Sequence, residues 1–183
     1  MLEPLLREQS VQPFSYPDVG ATGGRRPKGY RHVRHEIELG HGDEVFERAS
    51  DGLYRWQAHL RAGARAHAEH GEVDEGTTVV LAVPVAFVWV TVACRVVYVT
   101  REQGRRGFAY GTLPHHVIDG EEAFLVERDD AQAVRFVVSA FLRPRGRFMS
   151  LCWPLVHLLD ERIVQRYLHG LRAYAGGAES TGS

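Results

Sequence analysis

Cysteine and lysine are both scarce in this chain, and the shortage of cysteine excludes two classes of protein. Of 183 residues only two are cysteine, Cys94 and Cys152, and they lie far apart inside apolar segments. That spacing matches no metal or redox motif, and two cysteines make a poor framework for a disulfide-stabilised secreted domain. We therefore predict two reduced, buried thiols. Lys28 is the only lysine, so the remaining basic residues are arginines scattered along the chain.

An excess of charge is also missing. Lysine and arginine total 22 against 23 for aspartate and glutamate, which gives a net charge of −1. A general nucleic-acid-binding domain would be basic, so we expect no nucleic-acid partner. Hydrophobic residues make up 44% and charged residues 25% of the chain, the balance of one globular domain. Glu3 and Pro4 interrupt the short apolar run at the N-terminus, which excludes a signal peptide and makes the cytoplasm the expected location.

The longest apolar run, residues 77–99, is long enough to span a bilayer. Its composition favours strands, because β-branched valine and threonine dominate it. Pro84 would interrupt a helix, and the charge of Arg95 is costly inside a membrane. We predict two strands, at 77–83 and 87–99, and no integral membrane insertion. A structural or membrane-associated role for 77–99 stays open as an alternative.

Local patterns divide the rest of the chain into further elements. Residues 1–30 are rich in proline and glycine and predict an irregular N-terminal arm rather than a helix. Alternation over 31–39 predicts a half-buried strand, and Asp43 is placed to cap a short helix after it. Residues 54–70 fit neither period cleanly. Three more strands are expected, at 105–113, 121–128 and 133–142.

Leucine and tyrosine recur every three or four residues over 151–174, which predicts a long amphipathic helix ending near Gly176. This order of elements predicts an α+β fold in which a curved antiparallel sheet wraps on the long C-terminal helix. We expect residues 31–176 to form a single domain and 177–183 to be a mobile tail. A curved sheet covered by one helix leaves a space suited to an apolar ligand.

Four strings carry a resemblance that extends over residues 14–174. They are FSYPDVGAT at 14–22, GYRHVRHEIELGHG at 29–42, RRGFAYGTLPHHVIDGEEAF at 105–124 and RIVQRYLHGLR at 162–172. Together they resemble a family of uncharacterised bacterial and plant proteins that is catalogued as a domain of unknown function. His115 stands where that pattern has a glycine, so the loop after YGTLP is expected to differ in shape.

The layout of the chain is also similar to the helix-grip superfamily. That superfamily includes START-like lipid-transfer domains, plant pollen-allergen-like proteins and polyketide cyclases. The resemblance implies a START-like helix-grip fold and a hydrophobic ligand, and it leaves the activity open.

Three polar residues near the predicted strand ends are candidate catalytic residues: Tyr110, His115 and Glu122. Their side chains are suited to orienting a ligand or to moving protons on it. A structural alternative is equally consistent with the sequence. Arg95 in its apolar strand needs a partner, and Glu122 would serve as one.

The predicted function is the binding of a small hydrophobic or amphipathic molecule between sheet and helix. An enzyme on the same cavity, of cyclase, hydratase or isomerase type, is the alternative. No phosphate-binding loop, nucleophile elbow or dinucleotide fingerprint is present, and the paired histidines lack zinc spacing, so we expect no cofactor and no metal. The expected ligand-binding residues are Trp89, Arg95, Phe108, Tyr110, His115, Glu122, Phe124 and Phe136.

Overall fold

The computed structural model describes residues 2–85 and 87–177 of the chain. Seven strands and five α helices lie within these residues, together with one 3-10 turn at Ala21–Gly23. The helices are α1 Leu2–Ser10, α2 Asp43–Tyr54, α3 Gln57–Arg61, α4 Gly146–Leu151 and α5 Trp153–Ala175. The strands are β1 Arg31–His41, β2 Arg65–Ala68, β3 Thr78–Val85, β4 Val88–Glu102, β5 Arg105–Thr112, β6 Ile118–Arg128 and β7 Ala133–Pro144.

The seven strands form one antiparallel sheet in the order β1-β7-β6-β5-β4-β3-β2. Consecutive hairpins build β2 to β7, and β1 pairs with the far edge, beside β7. The register shifts between Glu38 and Gly40 in β1 and between Val96 and Tyr98 in β4. Such irregularities bend a strand and increase its twist, which helps the sheet to curve. The predicted α+β fold, a curved sheet with a long C-terminal helix, is confirmed.

The two faces of the sheet are covered by different parts of the chain. The inner face packs against α2, α3 and α5, which enclose the main core between them. The outer face carries the N-terminal arm, residues 2–30, where Leu6 of α1 packs on Val80, Ala93 and Leu113. Because side chains alternate along each strand, every buried strand supplies residues to both layers.

The sequence had suggested that the C-terminal helix alone covers the inner face of the sheet. In the structure α2 and α3 cover part of that face as well. Helices α2 and α3 pack against α5, and two glycines allow the close approach. A Cβ at Gly52 would lie 2.3 Å from the Tyr174 ring, and one at Gly170 would lie 3.1 Å from the Ala58 carbonyl oxygen. A larger residue at either position would push the helices apart.

The structure corrects several predicted boundaries. Leu2–Ser10 is a helix where an irregular segment was predicted, because its leucines pack on the outer face and Pro4 lies in the first turn, where proline is tolerated. Strand β6 begins at Ile118, since Ile118–Gly120 pair with Leu142–Pro144. The ambiguous residues 54–70 contain α3 and β2. Residues 178–183 of the predicted mobile tail lie outside the described residues.

Residues 77–99 fall on β3 and β4, as predicted from their composition. None of the helices that the structure describes has the length and apolar character needed to cross a membrane. Both cysteines are free thiols: Cys94 is buried, whereas Cys152 is half-buried, more exposed than its apolar neighbours had suggested.

Candidate functional site

A cavity of about 240 Å³ lies between the inner face of the sheet and α5. Most of its wall is aliphatic, supplied by β3, β4, β6, β7 and one side of α5. The lining residues include Leu81, Val83, Val85, Val90, Val92, Val117, Ile118, Leu142, Leu159 and Ile163. A largely apolar, concave space with a few polar groups is the usual character of a small-molecule site.

The polar groups of the cavity gather around Glu122 on β6. Tyr110 is its direct partner across the β5–β6 pair, and the tyrosine hydroxyl donates a 3.0 Å hydrogen bond to the Glu122 Oε2. The His59 Nε2 lies 3.3 Å from the same hydroxyl. Asp160 and Tyr167 of α5 face this group from the other wall. Two carboxyl groups therefore share one apolar space.

Burial controls the protonation of these groups. Desolvation raises the pKa of Glu122, the charge of Asp160 raises it further, and the Tyr110 hydrogen bond opposes both. Desolvation likewise raises the pKa of Asp160. For bases the sign reverses, because burial disfavours the charged imidazolium. Burial lowers the pKa of His59 to about 3 and that of His116, which borders the cavity, to about 4.

The phenylalanines expected to line the ligand site lie deeper in the core instead. The Phe108 and Phe124 rings stack with centroids 5.4 Å apart, and Phe136 continues the stack at 6.4 Å. His59 closes it, with its ring 4.9 Å from Phe124 and 4.5 Å from Tyr167. This cluster fills the space beside the cavity. The cavity itself has aliphatic walls and two tyrosines rather than the aromatic wall that the sequence suggested.

Arg95 lies on the outer face and does not pair with Glu122. Its guanidinium donates hydrogen bonds to the carbonyl oxygens of Gln9, Ser10 and Gln12, at 2.7–3.0 Å. These carbonyls belong to the end of α1 and the turn after it, so Arg95 satisfies groups that a helix C-terminus leaves unpaired. The arginine therefore anchors the N-terminal arm, and the predicted Arg95–Glu122 pair is wrong.

His115 and Trp89 are also distant from the polar centre of the cavity. The His115 side chain is exposed, and its backbone N–H donates to the Gln9 Oε1 at 3.0 Å. The neighbouring His116 borders the cavity in its place. Trp89 is 52% exposed near the β3–β4 turn, where the Arg65 guanidinium lies 4.7 Å from its ring centroid.

Glu121, the residue before Glu122, organises the N-terminal arm. Its carboxylate accepts hydrogen bonds from the Tyr16 hydroxyl and the Gly20 N–H, each at 2.7 Å, and from the Thr22 N–H at 2.9 Å. The Thr22 hydroxyl donates to it as well. Tyr16 lies directly over Gly111, where a Cβ would come within 2.0 Å of the tyrosine oxygen. Gly111 of the YGTLP string and Glu121 of the GEEAF string thus fix the N-terminal arm against the sheet.

The sequence did not indicate the aliphatic lining residues, nor several polar side chains at or beside the cavity, among them His59, His116, Asp160 and Tyr167. Asp160 and Tyr167 are seven residues apart on α5, a spacing that places both on one helix face. Tyr167 is one of the recurring tyrosines of the predicted amphipathic helix, whereas Asp160 is not part of that apolar repeat. Their seven-residue spacing was the one signal in the sequence that could have predicted that they lie on the same face of the helix. Nothing in the local pattern distinguished His59, because its segment showed no clear period.

Comparisons with known proteins agree with this architecture. A 35% identical UPF0548 protein of Deinococcus radiodurans aligns over 93% of this chain and 90% of its own length. The Zhui aromatase/cyclase of Streptomyces sp. R1128 has a TM-score of 0.58 at 18% identity, covering 84% of this chain and 99% of that one. A START superfamily protein of Mycobacterium smegmatis has a TM-score of 0.54 at 13% identity, covering 81% and 98%.

The structural neighbours establish the fold alone, because their identity to this chain is low. They place the sheet and α5 within the helix-grip architecture that the layout of the sequence had indicated. The family assignment comes from sequence: the family described as Domain of unknown function (DUF1990) matches residues 15–170. The chain is therefore a member of the DUF1990 family, built on a START-like helix-grip fold.

Proposed function

We propose that this protein binds one small hydrophobic or amphipathic molecule in the cavity between β3–β6 and α5. The observation that carries the proposal is an apolar cavity of about 240 Å³ with one polar centre, the Tyr110–Glu122 pair. Aliphatic walls favour the apolar body of a ligand, and the polar centre fixes the orientation of one end. The helix-grip neighbours, which include a START superfamily protein and an aromatase/cyclase, support a ligand of this general kind.

The cavity also argues against a purely structural role for residues 77–99. Strands β3 and β4 supply Leu81, Val83 and Val92 to the cavity wall, so part of this apolar run faces a space rather than a packed core. A protein whose strands served only as scaffold would gain stability by filling that space, because unfilled apolar volume forfeits packing contacts.

A pair of matched variants tests the proposal. Ile163→Trp places a larger ring into the cavity from α5, whereas Leu158→Trp adds the same ring at a 45% exposed position of the same helix. We expect N-phenyl-1-naphthylamine, a neutral fluorescent probe, to bind the wild type and Leu158→Trp with one-to-one stoichiometry. Ile163→Trp should abolish binding while the protein stays folded by circular dichroism. Equal binding by both variants, or none by the wild type, would contradict the proposal.

Native mass spectrometry of the protein purified from its own source provides an independent test. A retained small molecule should add mass to the wild type and to Leu158→Trp but not to Ile163→Trp. This measurement also identifies the natural ligand by its mass, which probe binding does not.

An enzyme on the same cavity is the second candidate, and the protonation of Glu122 favours it. A carboxyl group whose pKa is raised by burial is able to exchange protons with a bound ligand near neutral pH, and Tyr110 holds it in position. Proton removal next to a carbonyl group is the first step of many isomerisations and cyclisations. The same two residues could therefore orient a ligand or act on it.

Hydrogen exchange into a ketone distinguishes catalysis from binding alone. With 4-phenyl-2-butanone in D2O, an enzyme of this type should accelerate deuterium incorporation next to the carbonyl, measured by NMR. Glu122→Gln should abolish the acceleration, whereas Glu75→Gln, at an exposed acid outside the cavity lining, should retain it. A ligand that binds without accelerated exchange would favour carriage over catalysis.

A further inference from the structure

The charged side chains of the cavity are all of one sign among the described residues. Glu122 and Asp160 project from opposite walls, and no arginine or lysine is found in the lining that the structure describes. Glu121 also borders the cavity, but the N-terminal arm occupies its carboxylate. His116 is neutral, because burial lowers its pKa to about 4. A ligand in this space therefore meets two carboxyl groups and no basic side chain among the described lining residues.

Both carboxyl groups retain unused bonding capacity. Of the two Glu122 oxygens, Oε2 accepts the Tyr110 hydrogen bond, and Oε1 has no hydrogen-bond partner among the described residues. Arg31 and His157, the basic groups that act electrostatically on Asp160, both lie within ion-pair distance of Glu161 instead, at 3.8 and 3.1 Å. Asp160 forms no hydrogen bond or ion pair with the described part of the chain.

We propose that the cavity selects amphipathic ligands whose polar end is a protonated amine, held between Glu122 and Asp160. This inference rests on the proposed function, namely that the cavity binds a ligand at all. An ammonium group carries three donors and no acceptor, which complements two carboxylates that face one another across an apolar space. Charge-assisted hydrogen bonds of this kind are stronger than neutral ones.

The same charges select against fatty acids and other anionic amphiphiles. A third carboxylate would find no basic partner in the described lining, and its charge would disfavour ionisation of the two acidic groups already there. A neutral alcohol would avoid that repulsion but would satisfy fewer of the free oxygens. The expected order of affinity is therefore amine, alcohol, carboxylate for ligands with the same apolar chain.

Amine binding should release protons, because a nearby cation favours the ionised form of both carboxyl groups. The titratable groups that face Glu122 come from four elements: Cys94 on β4, Tyr110 on β5, Asp160 and Tyr167 on α5, and His59 on α3 through Tyr110. Those around Asp160 are His157 and Glu161 on its own helix and Arg31 on β1. Glu122 and Asp160 are the carboxylic acids of this group that border the cavity, and burial keeps the pKa of Tyr110 and Tyr167 well above 10, so the two carboxyl groups are the source of the released protons.

Calorimetric titration with octylamine, 1-octanol and octanoate at pH 7 tests the inference. We expect octylamine to bind at least about tenfold more tightly than 1-octanol, as a charge-assisted contact allows, and octanoate to bind most weakly. Repeating the octylamine titration in two buffers of different ionisation enthalpy measures the protons released.

Isosteric variants assign the effect to the two acids. Asp160→Asn and Glu122→Gln should each reduce octylamine affinity toward that of 1-octanol, with the affinity for 1-octanol unchanged. Glu75→Gln, at an exposed acid outside the lining, should behave as the wild type. Thermal unfolding of each variant verifies that it is folded.

The outcomes separate this inference from the proposed function. If 1-octanol binds but octylamine binds no more tightly, or octanoate binds best, the amine preference is wrong and the ligand-binding function stands. If none of the three ligands binds and N-phenyl-1-naphthylamine also fails, both are wrong.

Discussion

Glu121 and Glu122 are consecutive on β6 and chemically alike, yet the two faces of the sheet use them in opposite ways. On the outer face, four donors from the N-terminal arm enclose the Glu121 carboxylate, which is 1% exposed. On the inner face, Glu122 accepts one hydrogen bond from Tyr110 and borders an open cavity. A fully satisfied buried polar group stabilises the fold, whereas one with unused capacity is available to a ligand.

Other polar groups show the same contrast between satisfied side chains on the outer face and side chains with unused bonding capacity on the inner face. Arg95 on the outer face is committed to three arm carbonyls, and Thr112 bridges the Ser15 hydroxyl and the Gly120 N–H. On the inner face, Asp160 lies against the cavity without such partners among the described residues. The outer face is thus a structural interface within the chain, and the inner face carries the candidate site.

The largest effect that this comparison predicts is the difference between substitutions at the two glutamates. Glu121→Ala leaves several arm donors buried without an acceptor and should lower the free energy of unfolding by about 3–5 kcal/mol. Glu122→Gln retains shape and hydrogen bonding and should change it by less than about 1 kcal/mol. Urea denaturation of both variants measures the difference, and equal losses would show that the two faces are not distinct.

A smaller effect is expected at Arg95, the second anchor of the arm. Arg95→Met keeps the apolar stem and removes the donors to three carbonyl oxygens, so we expect a loss of about 2–3 kcal/mol in unfolding free energy. Limited proteolysis should cut the first 30 residues of this variant faster than those of the wild type. Arg101, which is exposed and lies over the Tyr54 ring, provides the control. Proteolysis should cut the first 30 residues of Arg101→Met no faster than those of the wild type.

The pH dependence of stability should come from the inner face, and His59 gives it a definite sign. Its pKa is about 3 in the folded protein and about 6.5 when unfolded, so the unfolded state binds more protons below pH 6.5. This histidine should therefore remove about 2 kcal/mol of stability between pH 7 and pH 5. Glu122 and Asp160 act in the opposite direction, because their raised pKa values favour the folded state in acid and reduce its stability as the pH rises.

Replacing the histidine isolates its contribution from that of the carboxyl groups. The stability of His59→Phe should fall less than that of the wild type between pH 7 and pH 5, by about the same 2 kcal/mol. Urea denaturation at both pH values gives this difference. An identical acid-side loss in the two proteins would mean that His59 is not held neutral by burial.

The smallest effect is expected at Trp89, the predicted ligand contact that lies on the surface. Trp89→Ala removes an exposed ring and one contact with Arg65 and should cost less than about 1 kcal/mol. Trp56→Ala, which empties a position that is 3% exposed, should cost about 3–5 kcal/mol. Binding of N-phenyl-1-naphthylamine should be unchanged in Trp89→Ala. A marked loss of binding would show that Trp89 contacts the ligand after all.

Short-range patterns in the sequence were sufficient for the strands and the long helix. Alternation and β-branched composition predicted β1 and β3–β7 to within a few residues, and the leucine repeat predicted α5, because these signals report the side that each element buries. They failed for α1 and for residues 54–70. There the helix or strand is stabilised by packing on distant residues, such as Leu6 on Val80, rather than by its own period.

Site residues were harder to predict than elements. Tyr110 and Glu122 were identified as polar residues near strand ends, and the structure places both at the cavity, where their role as site residues stays a prediction. His115 met the same criterion but is exposed, and Arg95, selected as a charge within an apolar strand, lies on the outer face. Arg95 and His115 differ from Glu122 in the part of the chain that packs over them. Local composition does not indicate which part of the chain covers which face of the sheet.

By itself the sequence determined that Glu121 and Glu122 must point to opposite sides of one strand, because side chains alternate along any strand. The sequence also supplies the glycine at position 111, but only the structure shows that Tyr16 occupies the space above it. The tertiary structure alone decided which glutamate faces the arm and which faces the cavity. That choice depends on the packing of α1–α3 and α5 against the two faces. This packing brings together residues more than a hundred positions apart, such as Tyr16 and Glu121 with their separation of 105.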